Sequence, residues 1–242
     1  FNTCEFERRR VVRFWLAPRR GCRDRSERSI AEERARHGRF VRPQDRRSFA
    51  LSRALVRTTL SRFGPTPPRD WLFVTNDHQC PFVEESQAGV PRLYFNLSHT
   101  SGLAAVAVCR GHRIGVDVER VDRVVLEEVP ERHFAPAEVR DLRALPVEAQ
   151  GAAFFEYWTL KEAYIKARGL GLALPLDQFA FTLRSGGAPP MVTFAPGFDD
   201  AAHWQFWQAW PTPQHRLSLA VERTGPDLPV SLHLLPTPSL RP

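Results

Sequence analysis

Short alternating runs of apolar and polar residues, broken by turn-forming clusters, cover most of the chain, and the pattern changes to helical spacing in a few places. Phe49, Leu51, Ala54, Leu55, Thr58 and Leu60 recur near helical spacing until Gly64 and a PTPP turn, which predicts an amphipathic helix with a basic start. The stretch Phe154 to Leu172, FFEYWTLKEAYIKARGLGL, has good helix formers, no Gly or Pro before Gly169, and a GLG stop. Phe154, Trp158 and Ile165 form one apolar stripe on this second helix, and Glu162 falls on the same line. A shorter helix is expected over Pro136 to Leu145. Strands are predicted at Val11 to Leu16, Trp71 to Thr75, Leu93 to Leu97, Gly102 to Arg110, Ile114 to Arg120, Phe179 to Leu183, Met191 to Phe194, Trp204 to Trp210 and Arg216 to Val221. Between them, Arg23 to Arg36 reads as a solvated helix or loop, Asn76 to Pro91 as an irregular loop, Ser98 to Ser101 as a tight turn, and Thr224 to Pro242 as a loose tail. Strand, long helix and further strands occur once in 1–113 and again in 114–242. The economical fold class is therefore α+β, with two similar subdomains related by pseudo-two-fold symmetry.

Composition changes this picture little. With 242 residues, 43% hydrophobic and 25% charged, the chain can bury a proper core, and 21 prolines point to long connections. The net charge of +7 favours polyanionic partners, although a preference for arginine codons gives the same number. Of 34 basic residues only Lys161 and Lys166 are lysine, and both lie in the second helix. Cys4, Cys22, Cys80 and Cys109 are scattered without ligand spacing, so the expectation is a reduced, cytoplasmic protein without structural zinc. The apolar run near the start is too short and too charged for a signal peptide or a membrane span. Trp204, Phe206, Trp207 and Trp210 have no basic residues among them and make a poor base-stacking platform.

Candidate chemistry is confined to a few positions. In IGVDVER, Ile114, Val116 and Val118 point one way while Gly115, Asp117 and Glu119 point the other. Two carboxylates at i and i+2 beside a glycine that leaves room could seat a hard divalent cation, or simply form a solvated strand face. Glu162 on an apolar line needs a partner, since a buried carboxylate is costly alone. Lys166 four residues on could supply it as an ordinary helix pair, and Lys161, about 100° round, could bring a second ammonium to the same mouth. Ser98 and His99 in a turn are not by themselves a catalytic pair. Arginines 39, 42, 46 and 47 crowd a helix start where backbone N–H groups already favour anions.

Taken together, FNLSHTSG at 95–102, GVDVER at 115–120 and FFEYWTLKEAYIKARGLGL at 154–172 resemble the long, Sfp-type 4′-phosphopantetheinyl transferase family. The likeness extends through RFVRPQDRRSFALSRALVR at 39–57, RHFAPAEV at 132–139 and PLDQF at 175–179. The resemblance implies the fold of that family, a monomer of two halves with coenzyme A in the cleft between them. It also implies transfer of the phosphopantetheine arm of coenzyme A to a serine of an acyl or peptidyl carrier protein, with Mg²⁺ at the pyrophosphate and release of adenosine 3′,5′-bisphosphate. By position, Asp117, Glu119 and Glu162 resemble the magnesium carboxylates, and Lys166 the lysine on the phosphates. Lys161 is grouped with the cofactor-binding cations. Ser98 and His99 resemble the residues that hold the nucleotide phosphates, and the basic region at Arg36, Arg39 and Arg47 resembles the part that receives the 3′-phosphate. Carriers are acidic, which suits the arginine excess. Gln79-Cys80-Pro81 departs from the Gly-Lys-Pro or Gly-Arg-Pro of the family and removes one cation unless Arg92 replaces it. The other readings are a coenzyme A- or carrier-binding scaffold without catalysis, and a basic nucleic-acid binder, for which no module is recognisable; neither nucleic acid nor membrane is the expected partner.

Overall fold

Two long helices lie on the outer faces of two sheets that pack against one another. In the computed structural model the described residues are 11–18, 31–125, 128–184, 188–223 and 231–236. Residues 23–30 of the arginine-rich stretch, the tail at 224–230 and 237–242, and both Cys4 and Cys22 lie outside them. The first sheet contains β1 (Val11–Pro18), β4 (Leu93–Thr100), β5 (Leu103–Arg110) and β11 (Ser231–Pro236), in the order β11-β1-β5-β4. β11 runs parallel to β1, and the other pairings are antiparallel. The second sheet contains β6 (Ile114–Arg120), β9 (Trp204–Thr212) and β10 (His215–Glu222), antiparallel in the order β6-β10-β9. Two small hairpins, β2 (Phe73–Thr75) with β3 (Pro81–Val83) and β7 (Phe179–Thr182) with β8 (Met191–Phe194), flank these sheets.

Strand alternation decides what each layer buries. Ala104, Val106 and Val108 of β5 join Leu55, Val56 and Leu60 of α2 (Pro43–Leu60), preceded by α1 (Ala31–Arg39). The opposite face of β5, Leu103, Ala105, Ala107 and Cys109, packs on Ile114, Val116, Val118, Leu217, Leu219 and Val221 of the second sheet. β5 is thus buried on both sides, which is why GLAAVAVCR carries no polar alternation. Beyond the second sheet lies α6 (Val147–Arg168), with α4 (Glu128–His133) and α5 (Pro136–Arg143) alongside it; the core there includes Phe154, Phe155, Leu160, Tyr164, Ile165, Phe179 and Phe206. Gly169 ends α6 at φ +67, a left-handed cap.

Three elements differ from the sequence expectations. The loop read over Asn76 to Pro91 contains β3 and the single turn of α3 (Glu85–Ala88). The tail contains β11. Ser98 and His99 belong to β4 rather than to a turn, which falls instead at Ser101 and Gly102, the latter at φ +89. Polar residues persist in β4 because one face of that strand meets the edge of β6: Asn96 Oδ1 accepts from Val116 N at 3.0 Å and Ser98 Oγ from Val118 N at 3.2 Å. Side chains there satisfy amides that no backbone ladder reaches.

Candidate active site

The close approach of α6 to β6 starts at Gly115. A Cβ on Gly115 would meet the Ala163 carbonyl and the Ala167 amide nitrogen well inside contact distance. The room beside this glycine is therefore filled by helix backbone, not left for an ion. Asp117 and Glu119 follow on the same strand face, beside the helix line Trp158, Glu162 and Lys166. That line is where α6 opens: the helix is buried round most of its circumference, Phe154 and Ile165 included, while Trp158, Glu162 and Lys166 stay half-buried. Glu162 thus lies at the edge of the core rather than on a stripe facing into it.

Asp117 is the centre of the cluster, with a side chain 5% exposed. Its Oδ1 accepts from Ser98 Oγ at 2.8 Å and from Lys166 Nζ at 2.5 Å, and Lys166 Nζ also donates to Ser98 Oγ at 3.1 Å. Its Oδ2 is buried and has no hydrogen-bond partner among the described residues. Glu119 Oε2 accepts from Thr100 Oγ1 at 3.1 Å and from Arg123 Nη2 at 2.7 Å. Burial, and after it the Asp117 charge, pushes both the Glu119 and the Glu162 carboxyls above their usual range, with Lys166 opposing in each case. Two acids whose proton affinity is raised beside a third carboxylate form a site short of positive charge.

An oxygen-only donor set with an orphaned buried carboxylate oxygen suits a hard divalent cation. Among the described residues, no group of three His, Cys, Asp or Glu side chains forms a metal-binding cluster as it stands. Asp117 is paired with the Lys166 ammonium and Glu119 with the Arg123 guanidinium instead.

The structure brings Ser98, Asp117, Glu119, Glu162 and Lys166 together. It separates Lys161 from them, which corrects the expectation of a second cation at the mouth. The Lys161 side chain is fully buried on the other side of α6, 2.8 Å from Glu138 Oε2 and 2.7 Å from the carbonyls of Leu176 and Phe179. The helix turns it by about 140° relative to Lys166, so the two ammonium groups cannot share a site. His99 alternates away from Ser98 and is exposed. Arg36, Arg39 and Arg47 are exposed on α1 and α2, with Arg36 over the Phe49 ring at 5.7 Å. Gln79, where the family pattern has glycine, adopts φ +60, and the Cys80 side chain packs against Gly169. Arg92 does not reach across: it pairs with Glu85 at 2.9 Å and lies 5.7 Å from the centre of the Tyr94 ring. Sequence reasoning missed Thr100, Arg123, Glu138 and Asn76. Alternation along β4, extended three residues further, would have put Thr100 beside Ser98. Asn76 Nδ2 donates to the Gly169 carbonyl at 2.7 Å, tying the loop before β3 to the cap of α6, a contact across 93 positions that no local signal reveals.

An acid cluster with a resident ammonium lies where the two packed sheets of this α+β protein meet α6. Comparison with known proteins makes this specific. A family model described as the 4′-phosphopantetheinyl transferase superfamily matches residues 113–220, and one described as 4′-phosphopantetheinyl transferase, N-terminal, matches 26–110. The chain is 38% identical over 146 residues to the 4′-phosphopantetheinyl transferase HetI of Nostoc sp., covering 59% of this chain and 60% of that protein. It is 33% identical over 156 residues to the 4′-phosphopantetheinyl transferase Sfp of Bacillus subtilis, covering 64% and 67%. Among solved structures, the holo-[acyl-carrier-protein] synthase of Thermotoga maritima aligns at a TM-score of 0.38 and 22% identity over 46% of this chain and 63% of that one. The match thus spans roughly three-fifths to two-thirds of the two curated relatives. The chain belongs to the 4′-phosphopantetheinyl transferase family.

Proposed function

We propose that this protein transfers the 4′-phosphopantetheine arm of coenzyme A to a serine of an apo acyl or peptidyl carrier protein, with Mg²⁺ as the cation and adenosine 3′,5′-bisphosphate as the leaving product. The observation that carries this reading is Asp117, a buried carboxylate with one oxygen taken by Lys166 and Ser98 and the other without a partner among the described residues. Asp117, Glu119 and Glu162 would hold the cation, and when bound it would neutralise charge developing on the pyrophosphate. Lys166 and the Ser98 hydroxyl bind phosphate oxygens at the seam. The attacking serine must lose a proton, and Glu162, half-buried with a raised proton affinity, is suited to accept it. Arg36, Arg39 and Arg47 give the N-terminal half an exposed basic surface for the 3′-phosphate, and His99 stands beside Ser98 on β4 at its open side.

The finer properties follow from the same reading. In this reading the two halves, 1–113 and 114–242, each set a long helix on a sheet, with β11 of the second half added to the sheet of the first, and a single site lies between them, so the protein acts as a monomer. Its arginine excess suits an acidic carrier, which would dock near 121–145, and scattered cysteines without ligand spacing fit a reduced, cytoplasmic setting. In the test, the purified chain is incubated with apo carrier, coenzyme A and Mg²⁺, and the carrier is weighed by mass spectrometry. The carrier should gain one phosphopantetheine arm, and the gain should vanish with chelator or with Glu162→Gln. Glu162→Gln should fold as stably as the parent or slightly more so, because it relieves like-charge crowding. A fully active Glu162→Gln would remove Glu162 from the site.

A further inference from the structure

Lys166 has a second consequence for the same site, one that rests on the transferase reading. Its ammonium donates to Asp117 Oδ1 and Ser98 Oγ, which leaves one of its three N–H donors without a partner among the described residues. The side chain is 27% exposed against 5% for Asp117, and it sits in the last turn of α6 on a flexible stem. Asp117 meanwhile is buried near two other acids with its carboxylate against the Lys166 ammonium, and a buried charge needs a partner. One cation therefore holds the carboxylate in the resting protein, and a divalent ion needs the same carboxylate.

We propose that Lys166 is an internal counter-ion that competes with the divalent cation for Asp117, and that a phosphate group arriving at the seam draws the ammonium away and opens the carboxylate to the metal. Phosphate oxygens offer Lys166 charged acceptors for its remaining N–H. Metal and coenzyme A then tighten each other's binding by the same factor, as thermodynamic linkage requires. Part of that coupling comes from phosphate oxygens meeting the metal directly, so the component due to Lys166 is the one visible without coenzyme A.

The probe is Mn²⁺, titrated into the metal-free full chain by calorimetry and by electron paramagnetic resonance, with and without coenzyme A. Lys166→Met is compared with the parent and with Arg120→Met, which removes a positive charge from the strand of Asp117 but touches Asp122 rather than the acid cluster. Lys166→Met should bind Mn²⁺ alone about tenfold more tightly than the parent, within the usual range of coupling between sites. Arg120→Met should change it less than about threefold, because exposed charges are screened. Lys166→Gln, which keeps much of the stem, should repeat the gain if Lys166→Met folds poorly. Unchanged or weaker Mn²⁺ binding in both Lys166 variants, or an equal gain in Arg120→Met, overturns the counter-ion role while transfer by the parent survives. No Mn²⁺ binding with coenzyme A present, together with no mass gain on any carrier, would overturn the transferase reading itself.

Discussion

Lys161 and Lys166, the two lysines of the chain, stand five positions apart on one helix and live in opposite environments. The Lys161 ammonium has an acceptor for each of its three N–H groups, in Glu138, Leu176 and Phe179, and the Phe179 ring centre is 4.3 Å away. Glu138 is completed in turn by the amides of Ala135 and Phe181, at 2.9 and 2.8 Å. Burial pushes the Glu138 carboxyl up and the Lys161 ammonium down, each opposed by the charge of the other. Every donor and acceptor in that network is used, so it can bind nothing new; its work is to fasten α5 and β7 to α6. The cluster at Lys166 has a donor and a carboxylate oxygen left over. Saturation marks the structural ion pair, and unfilled valence marks the one with chemistry left to do.

The comparison can be broken most directly at Lys161. Lys161→Met should cost about 3–5 kcal/mol by chemical denaturation, since it leaves Glu138 charged and buried, and adding Glu138→Leu should recover much of the loss. If Lys161→Met kept full stability but lost affinity for coenzyme A, the two lysines would have been assigned the wrong way round. Next in size, Gly115→Ala should cost about 3 kcal/mol and also lower transfer, because the added methyl group lifts α6 off β6 and moves both lysines relative to Asp117. A neutral Gly115→Ala would mean that the helix tolerates displacement and that the acid cluster does not depend on its seating. The smallest effect is expected away from α6, at Gln79: Gln79→Gly should raise stability by about 1 kcal/mol by relieving a left-handed backbone at φ +60, with transfer unchanged. A destabilised Gln79→Gly would show that this side chain makes a contribution that outweighs its backbone strain.

Much of this arrangement was legible in the sequence, and its gaps have physical causes. The alternation of IGVDVER gave the faces of β6 correctly because one face is fully apolar. Asp117, Glu119 and Glu162 lie near enough for the charges of the first two to act on the third, although among the described residues they form no metal-binding group as they stand. Lys161 was misjudged because the i+4 and i+5 geometry of a helix tells which side a residue faces but not what lies there. Its partner Glu138 belongs to an element 23 residues away and has no local signal. The apolar stripe through Glu162 misled for a related reason: α6 is enclosed nearly all round, so periodicity marks its open line only weakly. Ser98 and His99 were assigned to a turn because polarity usually means solvent, whereas the polar face of β4 meets unpaired amides of β6.

The parallel pairing of β1 with β11 has a consequence for how the molecule can be divided. A break between residues 113 and 114 would cut the polypeptide without yielding two self-sufficient pieces, because the leading fragment would lack the strand that covers the outer edge of β1. That bare edge would be open to intermolecular pairing and aggregation. Split versions of this protein should therefore be joined at a surface loop inside one half, with the two distant strands left in the same fragment or supplied together.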